Sequence, residues 1–292
     1  MRRPFEIRTC RADDLWSVNW LRSLAGWNQS ASFWGMLMGA PSAESWVASW
    51  GGGVVGSSVL WRYGSEMAWI GMVIVHPAYR RRGIARTLLK RCLDACQERG
   101  VARIGLDATP VGRELYSDLG FVETDEMIRH ERAALSGELQ MEAQDGSFAS
   151  QREFSAIFDH AVLALDREGF GANRNRLIEQ LAGECRLSLV VRDPLSGDLG
   201  YGMVRRGAGR LYLGPAVFSR TDLGRFATRL LLDESKPQPL IWDIPLKNET
   251  ALDLAGECGF VERRRLHRMW LGADGSVPVS PKVWAIADPA VG

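Results

Sequence analysis

The stretch MAWIGMVIVHPAYRRRGIARTLL, residues 67–89, carries the strongest structural signal in the chain. Its apolar run from Trp69 to Val75 reads as a strand, and His76-Pro77 turns the chain. Arg80, Arg81 and Arg82 then precede Gly83, where a helix opens. Ile84, Leu88, Leu89, Cys92, Leu93 and Cys96 recur on one face of that helix as far as Arg99, and Gly100 ends it. The first turn of a helix has main-chain N–H groups without partners and the positive end of the macrodipole. The arginines add full charges, and Gly83 lets a phosphate approach the backbone. The pattern predicts an anion cradle.

Downstream, Val101 to Leu106 reads as the next strand. A helical crossover makes it parallel to the cradle strand. Pro110 suits a helix start, a short helix falls within Gly112 to Glu123, and Phe121 to Arg132 is a closing strand. Upstream, Phe5 to Arg8 alternates as a strand, and Arg11-Ala12-Asp13-Asp14 opens a helix with an Asp as cap. Trp16, Trp20 and Leu24 form one apolar stripe on that helix. Trp27, Phe33 and Trp34 stand in a Ser/Gly/Asn-rich stretch, where they either line a cleft or pack in the core. Ser45–Trp50 and Val54–Tyr63 flank Gly51-Gly52-Gly53 as a hairpin, and Gly64-Ser65-Glu66 turns the chain into the cradle strand.

The order of strand, Val-x-Val-x-Pro (Val73, Val75, Pro77), arginines and Arg80-x-x-Gly83-x-Ala85 resembles the acetyl-coenzyme A motif of the GCN5-related N-acetyltransferase (GNAT) superfamily. Tyr116, followed by Gly120-Phe121, is similar to that family's second motif, with Thr109 and Gly112 where Asn and Ala are common. The resemblance implies acetyl-CoA as co-substrate. Val73, Ile74, Val75, Arg80, Arg81, Arg82, Gly83, Ile84, Ala85 and Arg86 would hold it, the strand pairing with the pantetheine arm like an extra strand. It further implies Tyr116 as the general acid at the coenzyme sulfur. For the general base, Glu66, which precedes the cradle strand, and Asp107, which closes its neighbour, are equal candidates. His76 is either a third group at the cofactor strand or a turn residue.

The second half repeats the first. Thr109, Gly112, Tyr116, Gly120, Phe121, Val122 and Glu123 correspond to Asn248, Ala251, Ala255, Gly259, Phe260, Val261 and Glu262, a constant offset of 139 positions. The elements recur in order: a helix over Phe154–Leu165, a hairpin of Leu187–Arg192 and Tyr201–Arg205, a strand Leu211–Phe218, a helix Leu223–Leu232, a strand Leu240–Ile244 and a helix Asn248–Glu257. In this copy Ser219-Arg220-Thr221-Asp222-Leu223-Gly224 replaces the cradle, and Ala255 replaces the tyrosine. It reads as a degenerate copy with a structural or acceptor-binding role; Asp243 echoes Asp107. The expected fold is α/β, a tandem of two mainly antiparallel mixed sheets flanked by helices. The catalytic domain is expected over 1–133, a linker over 134–151 with a strand near Leu139–Glu142, and the degenerate domain over 152–292.

Composition fits an ordinary globular chain of 292 residues, 46% hydrophobic and 24% charged. A net charge of +1 argues against a strongly electrostatic nucleic-acid binder. The five cysteines have no metal-ligand grouping, so Cys92 and Cys96, one helical turn apart, read as buried thiols and no metal is expected. The start MRRPFEIRT has no apolar core of a signal peptide, and no run is long enough to span a bilayer. A cytoplasmic protein without membrane contact, monomeric or homodimeric, is expected.

These readings point to transfer of an acetyl group to the primary amine of a small molecule. Two alternatives stand beside it. One is an aminoacyl-tRNA-dependent acyltransferase, with Arg-rich segments 204–210 and 262–268 touching RNA. The other is a non-catalytic acyl-CoA-binding module.

Overall fold

The computed structural model describes residues 4–135, 148–151, 159–272 and 277–292. The first copy runs β1 (Glu6–Thr9), α1 (Leu15–Leu24), α2 (Ala31–Gly39), β2 (Ala43–Trp50), β3 (Gly53–Tyr63), β4 (Met67–Val75), α3 (Ile84–Glu98), β5 (Arg103–Ala108), α4 (Pro110–Ser117) and β6 (Val122–Arg132). The second repeats that order with β7 (Ala149–Gln151), α5 (His160–Phe170), α6 (Asn175–Leu181), β8 (Cys185–Arg192), β9 (Leu199–Arg206), β10 (Leu211–Phe218), α7 (Thr221–Glu234), β11 (Leu240–Pro245), α8 (Glu249–Glu257) and β12 (Val261–Gly272). A final strand, β13 (Val283–Ala285), has no counterpart in the first copy. The expected mixed α/β architecture is thus present. The helix expected from Phe154 is described from His160, where the Asp159 carboxylate accepts the Ala161 N–H at 2.8 Å. Positions 154–158 and the strand expected at Leu139–Glu142 lie outside the described residues.

Two compact units form, and they do not follow the sequence halves expected as 1–133 and 152–292. Unit 1 is Met1–Glu123 with Met269–Ser276 and Pro289–Gly292; unit 2 is Thr124–Arg268 with Val277–Asp288. The reason is an exchange of closing strands. β6 pairs antiparallel with β11, Met127–Arg132 against Pro245–Leu240. The end of β12 instead enters unit 1. There Met269 joins the core, the Trp270 ring meets Trp69 edge-on at 5.5 Å, and a Cβ on Gly272 would lie 2.3 Å from the Ala102 carbonyl oxygen.

In unit 1 the strands run β1-β2-β3-β4-β5, all antiparallel except β4–β5. Ile84, Leu88, Leu89, Cys92 and Cys96 of α3 pack on Ala68, Ile70 and Leu106, as their helical spacing predicts. Cys92 and Cys96 are buried, and burial pushes both thiols up to about 12, so they stay protonated. On α1 the buried face is Val18, Leu21 and Arg22; the Trp16, Trp20, Leu24 stripe faces solvent, with Trp16 75% exposed. Asp14 precedes α1, but its carboxylate turns back to the Arg11 N–H at 2.8 Å and to Arg8 at 2.6 Å, leaving no side-chain cap. The Ser/Gly/Asn-rich stretch forms α2, capped by Ser30 Oγ accepting the Phe33 N–H at 2.9 Å, and it buries Phe33, Trp34 and Leu37.

Unit 2 has the order β12-β6-β11-β10-β9-β8-β7, with β13 along β10. Two buried ion pairs stand inside it. Arg174 holds Asp166 at 2.8 Å, and Arg129 holds Asp243 through two bonds of 2.7 and 2.5 Å while Tyr212 donates to the same carboxylate at 2.9 Å. Asp243 is therefore structural. Arg129→Met, which leaves that carboxylate buried and unpaired, is expected to cost about 3–5 kcal/mol in urea unfolding. Arg129→Met combined with Asp243→Leu should recover most of that loss; equal losses in both variants would contradict the pairing.

Candidate active site

The site is built on one edge of β4. In the parallel pairing to β5, Met67, Ala68 and Trp69 face Arg103, Ile104 and Gly105, and there the pairing stops. Met72 then takes a left-handed φ of +52°, and the β3–β4 register shifts between Ser57 and Val59. Ser57 Oγ donates to the Met72 carbonyl at 2.9 Å and fixes this bulge. Beyond it, the His76 N–H bonds to the Val55 carbonyl at 2.9 Å. Strand alternation then turns the N–H groups of Val73 and Val75 to the other edge, away from β3. Ile74 is buried and pairs with Ser57 on β3, so its backbone faces away from the open edge.

The loop comes immediately after this strand. Arg80 Nε donates to the Val75 carbonyl at 3.1 Å, and Arg81 and Gly83 take φ of +61° and +79°. Gly83 caps α3 without a side-chain bond, and no other atom lies within 4 Å of where its Cβ would be. Arg81 and Arg82 are exposed and, among the described residues, form no ion pair; the Arg82 guanidinium sits 5.1 Å from the Trp50 ring centroid. Arg86 is committed to Asp118 at 2.6 Å and Ile84 is buried, so at the helix start these two positions present backbone rather than side chain. His76 accepts the Ala78 N–H at 3.2 Å and stacks on Trp20 at 5.2 Å, which makes it a turn residue.

Tyr116 on α4 is half-buried beside Phe121, ring centroids 6.1 Å apart. Its ring covers Gly112, where a Cβ would come within 3.0 Å of it; this accounts for a glycine at that position. Burial, and secondarily the neighbouring Cys92, raises the phenol well above its ordinary value, so it holds its proton. Asp107, half-buried on β5, alternates with Leu106 and Ala108, whose side chains enter the α3 core. It therefore shares the opposite face with Gly105 and Trp69, level with the divergence of the strands. Glu66 does not join the site. It lies exposed in the turn before β4, at the end of the β4–β5 pairing opposite to the one that Asp107 follows.

A contact the sequence does not signal covers the Trp69 face of β4. Trp69 Nε1 donates to the Pro289 carbonyl at 3.0 Å, Tyr63 donates to the Val291 carbonyl, and a Cβ on Gly71 would lie 2.3 Å from the Ala290 carbonyl oxygen. Gly71, a lone glycine inside a strand, is the one residue that could have hinted at such a close approach.

The same region of the second copy is closed. β10 and β11 also pair over three residues, Leu211–Leu213 against Leu240–Trp242. Past that point β13 pairs with β10 at Ala216 and Val217, and the Ile286 N–H bonds to the Asp243 carbonyl on β11 at 3.3 Å. The chain's own strand thus lies in the gap. At the start of α7, Asp222 accepts the Leu223 N–H at 2.8 Å, and Arg220 is taken up by Asp193, Asp198 and Asp222 at 2.7–3.0 Å. Ala255 is packed in the core where the first copy has Tyr116.

The first copy matches the family model of the GNAT acetyltransferases over residues 5–121, and the second a GNAT domain model over 162–282. The chain is a two-domain member of the GNAT superfamily. It is an acyltransferase by family, with a degenerate second domain. It is 28% identical over 192 residues to the uncharacterised N-acetyltransferase YitH of Bacillus subtilis, a match spanning 65% of each chain. The fold is shared with a crystal structure from Pyrococcus horikoshii described as a candidate acetyltransferase (TM-score 0.82, 23% identity, 100% of this chain and 97% of that one). It is also shared with a tandem GNAT protein from the clavulanic acid biosynthesis pathway (TM-score 0.65, 16% identity, 94% and 100%). In this GNAT chain the bulge on β4 hangs on one hydroxyl. Ser57→Ala, which orphans the buried Met72 carbonyl, is expected to cost about 1–3 kcal/mol, read as a lower thermal midpoint with the far-UV spectrum unchanged.

Proposed function

We propose that the chain transfers the acetyl group of acetyl-CoA to the primary amine of a small molecule, at one site, in the N-terminal copy. The observation that carries this reading is the contrast between the two helix starts. Neither start has a side-chain cap, but Gly83 stands beside two arginines without ion pairs among the described residues, whereas at the second start Arg220 is taken up by three aspartates, Asp222 accepts the Leu223 N–H, and β13 lies along the neighbouring strand.

Acetyl-CoA would supply an activated thioester. The α3 start and Arg81 and Arg82 hold its pyrophosphate, by main-chain donors and by charge. The N–H groups of Val73 and Val75 align the pantetheine and polarise the thioester carbonyl. Asp107, directly or through a water, takes a proton from the attacking amine. As the C–N bond forms and the C–S bond breaks, Tyr116 gives its proton to the sulfur. A phenol raised by burial stays in this donor form through neutral and moderately alkaline pH.

Arg81→Glu and Gly83→Asp should each weaken acetyl-CoA binding at least tenfold in calorimetry, from a wild-type stoichiometry of one per chain; unchanged affinity in both would remove the cradle from the reading. Tyr116→Phe should lower kcat by about 100-fold or more with coenzyme affinity preserved, in a thiol-release assay over a panel of amines. Because the phenol is raised, the ratio of wild-type to variant rates should stay flat from about pH 7 to about pH 10. A ratio falling through that range would mean that Tyr116 itself loses its proton there, against a phenol raised by burial.

A further inference from the structure

In unit 2, at the N-terminal ends of the parallel strands β10 and β11, lies a cavity of about 430 Å³. Arg186 at the start of β8, Arg206 at the end of β9 and Arg210 just before β10 line it, with Gly207, Gly209 and Gln238. The volume falls within the roughly 300–1,000 Å³ of clefts that hold small molecules. It is at the opposite end of those strands from the closed start of α7.

The charges around it are out of balance. Several other arginines of this unit are matched: Arg192 to Asp159 at 3.2 Å, Arg225 and Arg229 to Glu257 at 2.7 and 2.8 Å, Arg265 to Glu262 at 2.9 Å. Arg205, inside the sheet, gives its Nε to the Gly214 carbonyl at 2.7 Å. Arg186 and Arg206 have no ion pair among the described residues. Arg210 does have a partner: it reaches Glu131 at 3.6 Å, a carboxylate that Arg263 also reaches at 3.8 Å. The sheet fixes the spacing, since Arg206 pairs in register with Leu211 on β10, and Cys185 and Leu187 flank Arg186 on β8 opposite Arg205 and Val204. Guanidinium groups held on neighbouring strand ends around a concavity suit a ligand with several acceptor oxygens and more than one negative charge.

We propose that this cavity binds a phosphate-bearing small molecule. The proposal is independent of the acetyl-transfer reading, because it uses none of the residues at the cradle. Calorimetry with inorganic pyrophosphate tests it. The full chain should take up pyrophosphate in a component that survives Arg81→Glu/Arg82→Glu and is weakened at least tenfold by Arg186→Glu/Arg206→Glu. The side chains changed are exposed, and Arg186→Gln/Arg206→Gln should give the same loss if the charge reversal disturbs folding. If the cradle variant abolishes all pyrophosphate binding, or both Arg186/Arg206 variants, folded by circular dichroism, bind as the wild type does, the site is overturned. Failure of the cradle alone to bind would leave this component intact and would count against the acetyl-transfer reading instead.

Discussion

The left-handed backbone at Met72 is the constraint on which the site depends. A non-glycine residue in that region costs on the order of 1–3 kcal/mol. The bond from Ser57 to its carbonyl and the burial of the Met72 side chain offset that cost. The bulge comes just after the residues at which β4 and β5 cease to pair. From there β4 keeps its bonds to β3 on one edge and offers donors on the other, an arrangement suited to a ligand that behaves like a strand.

Each copy contains a divergence of this kind after three paired residues, open in the first copy and filled in the second. In the second, Asn248 helps hold the occupant: it caps α8 by accepting the Ala251 N–H at 3.0 Å and donates to the Pro281 and Val283 carbonyls at 3.3 and 3.0 Å. Its counterpart Thr109 makes no side-chain cap. The segment 262–268, a basic stretch in sequence, is largely engaged within its own unit. Arg265 is tied to Glu262 and Glu126, while Arg264 is half-buried and Arg268 is buried. That leaves little free charge there for a nucleic acid.

The cradle, its helix and the repeat were legible because they depend on local chemistry: strand apolarity, a glycine at a helix start, a constant offset. What escaped depends on distant partners. Trp16 and Trp20 have helical spacing, but the period does not say which face meets the core, and here Val18 and Leu21 do. Glu66 and Asp107 flank strands equally well in sequence; the parallel direction of β4 and β5 puts them at opposite ends. The α2 helix was hidden by small polar residues, of which Ser30 is its cap. The exchange of β6 and the end of β12 left no trace, because strands of similar pattern serve either sheet equally well.

That exchange bears on how the chain reaches its folded state during synthesis. Unit 1 takes in Met269–Ser276 and Pro289–Gly292, while its first 123 residues are made long before. Trp69 and Tyr63, both buried, must wait for Pro289 and Val291 before their polar atoms find these partners. Domains usually fold as they emerge, N-terminal first. Here the N-terminal unit takes in residues made after all of unit 2, so the half that carries the cradle is completed only once Pro289–Gly292 has been synthesised.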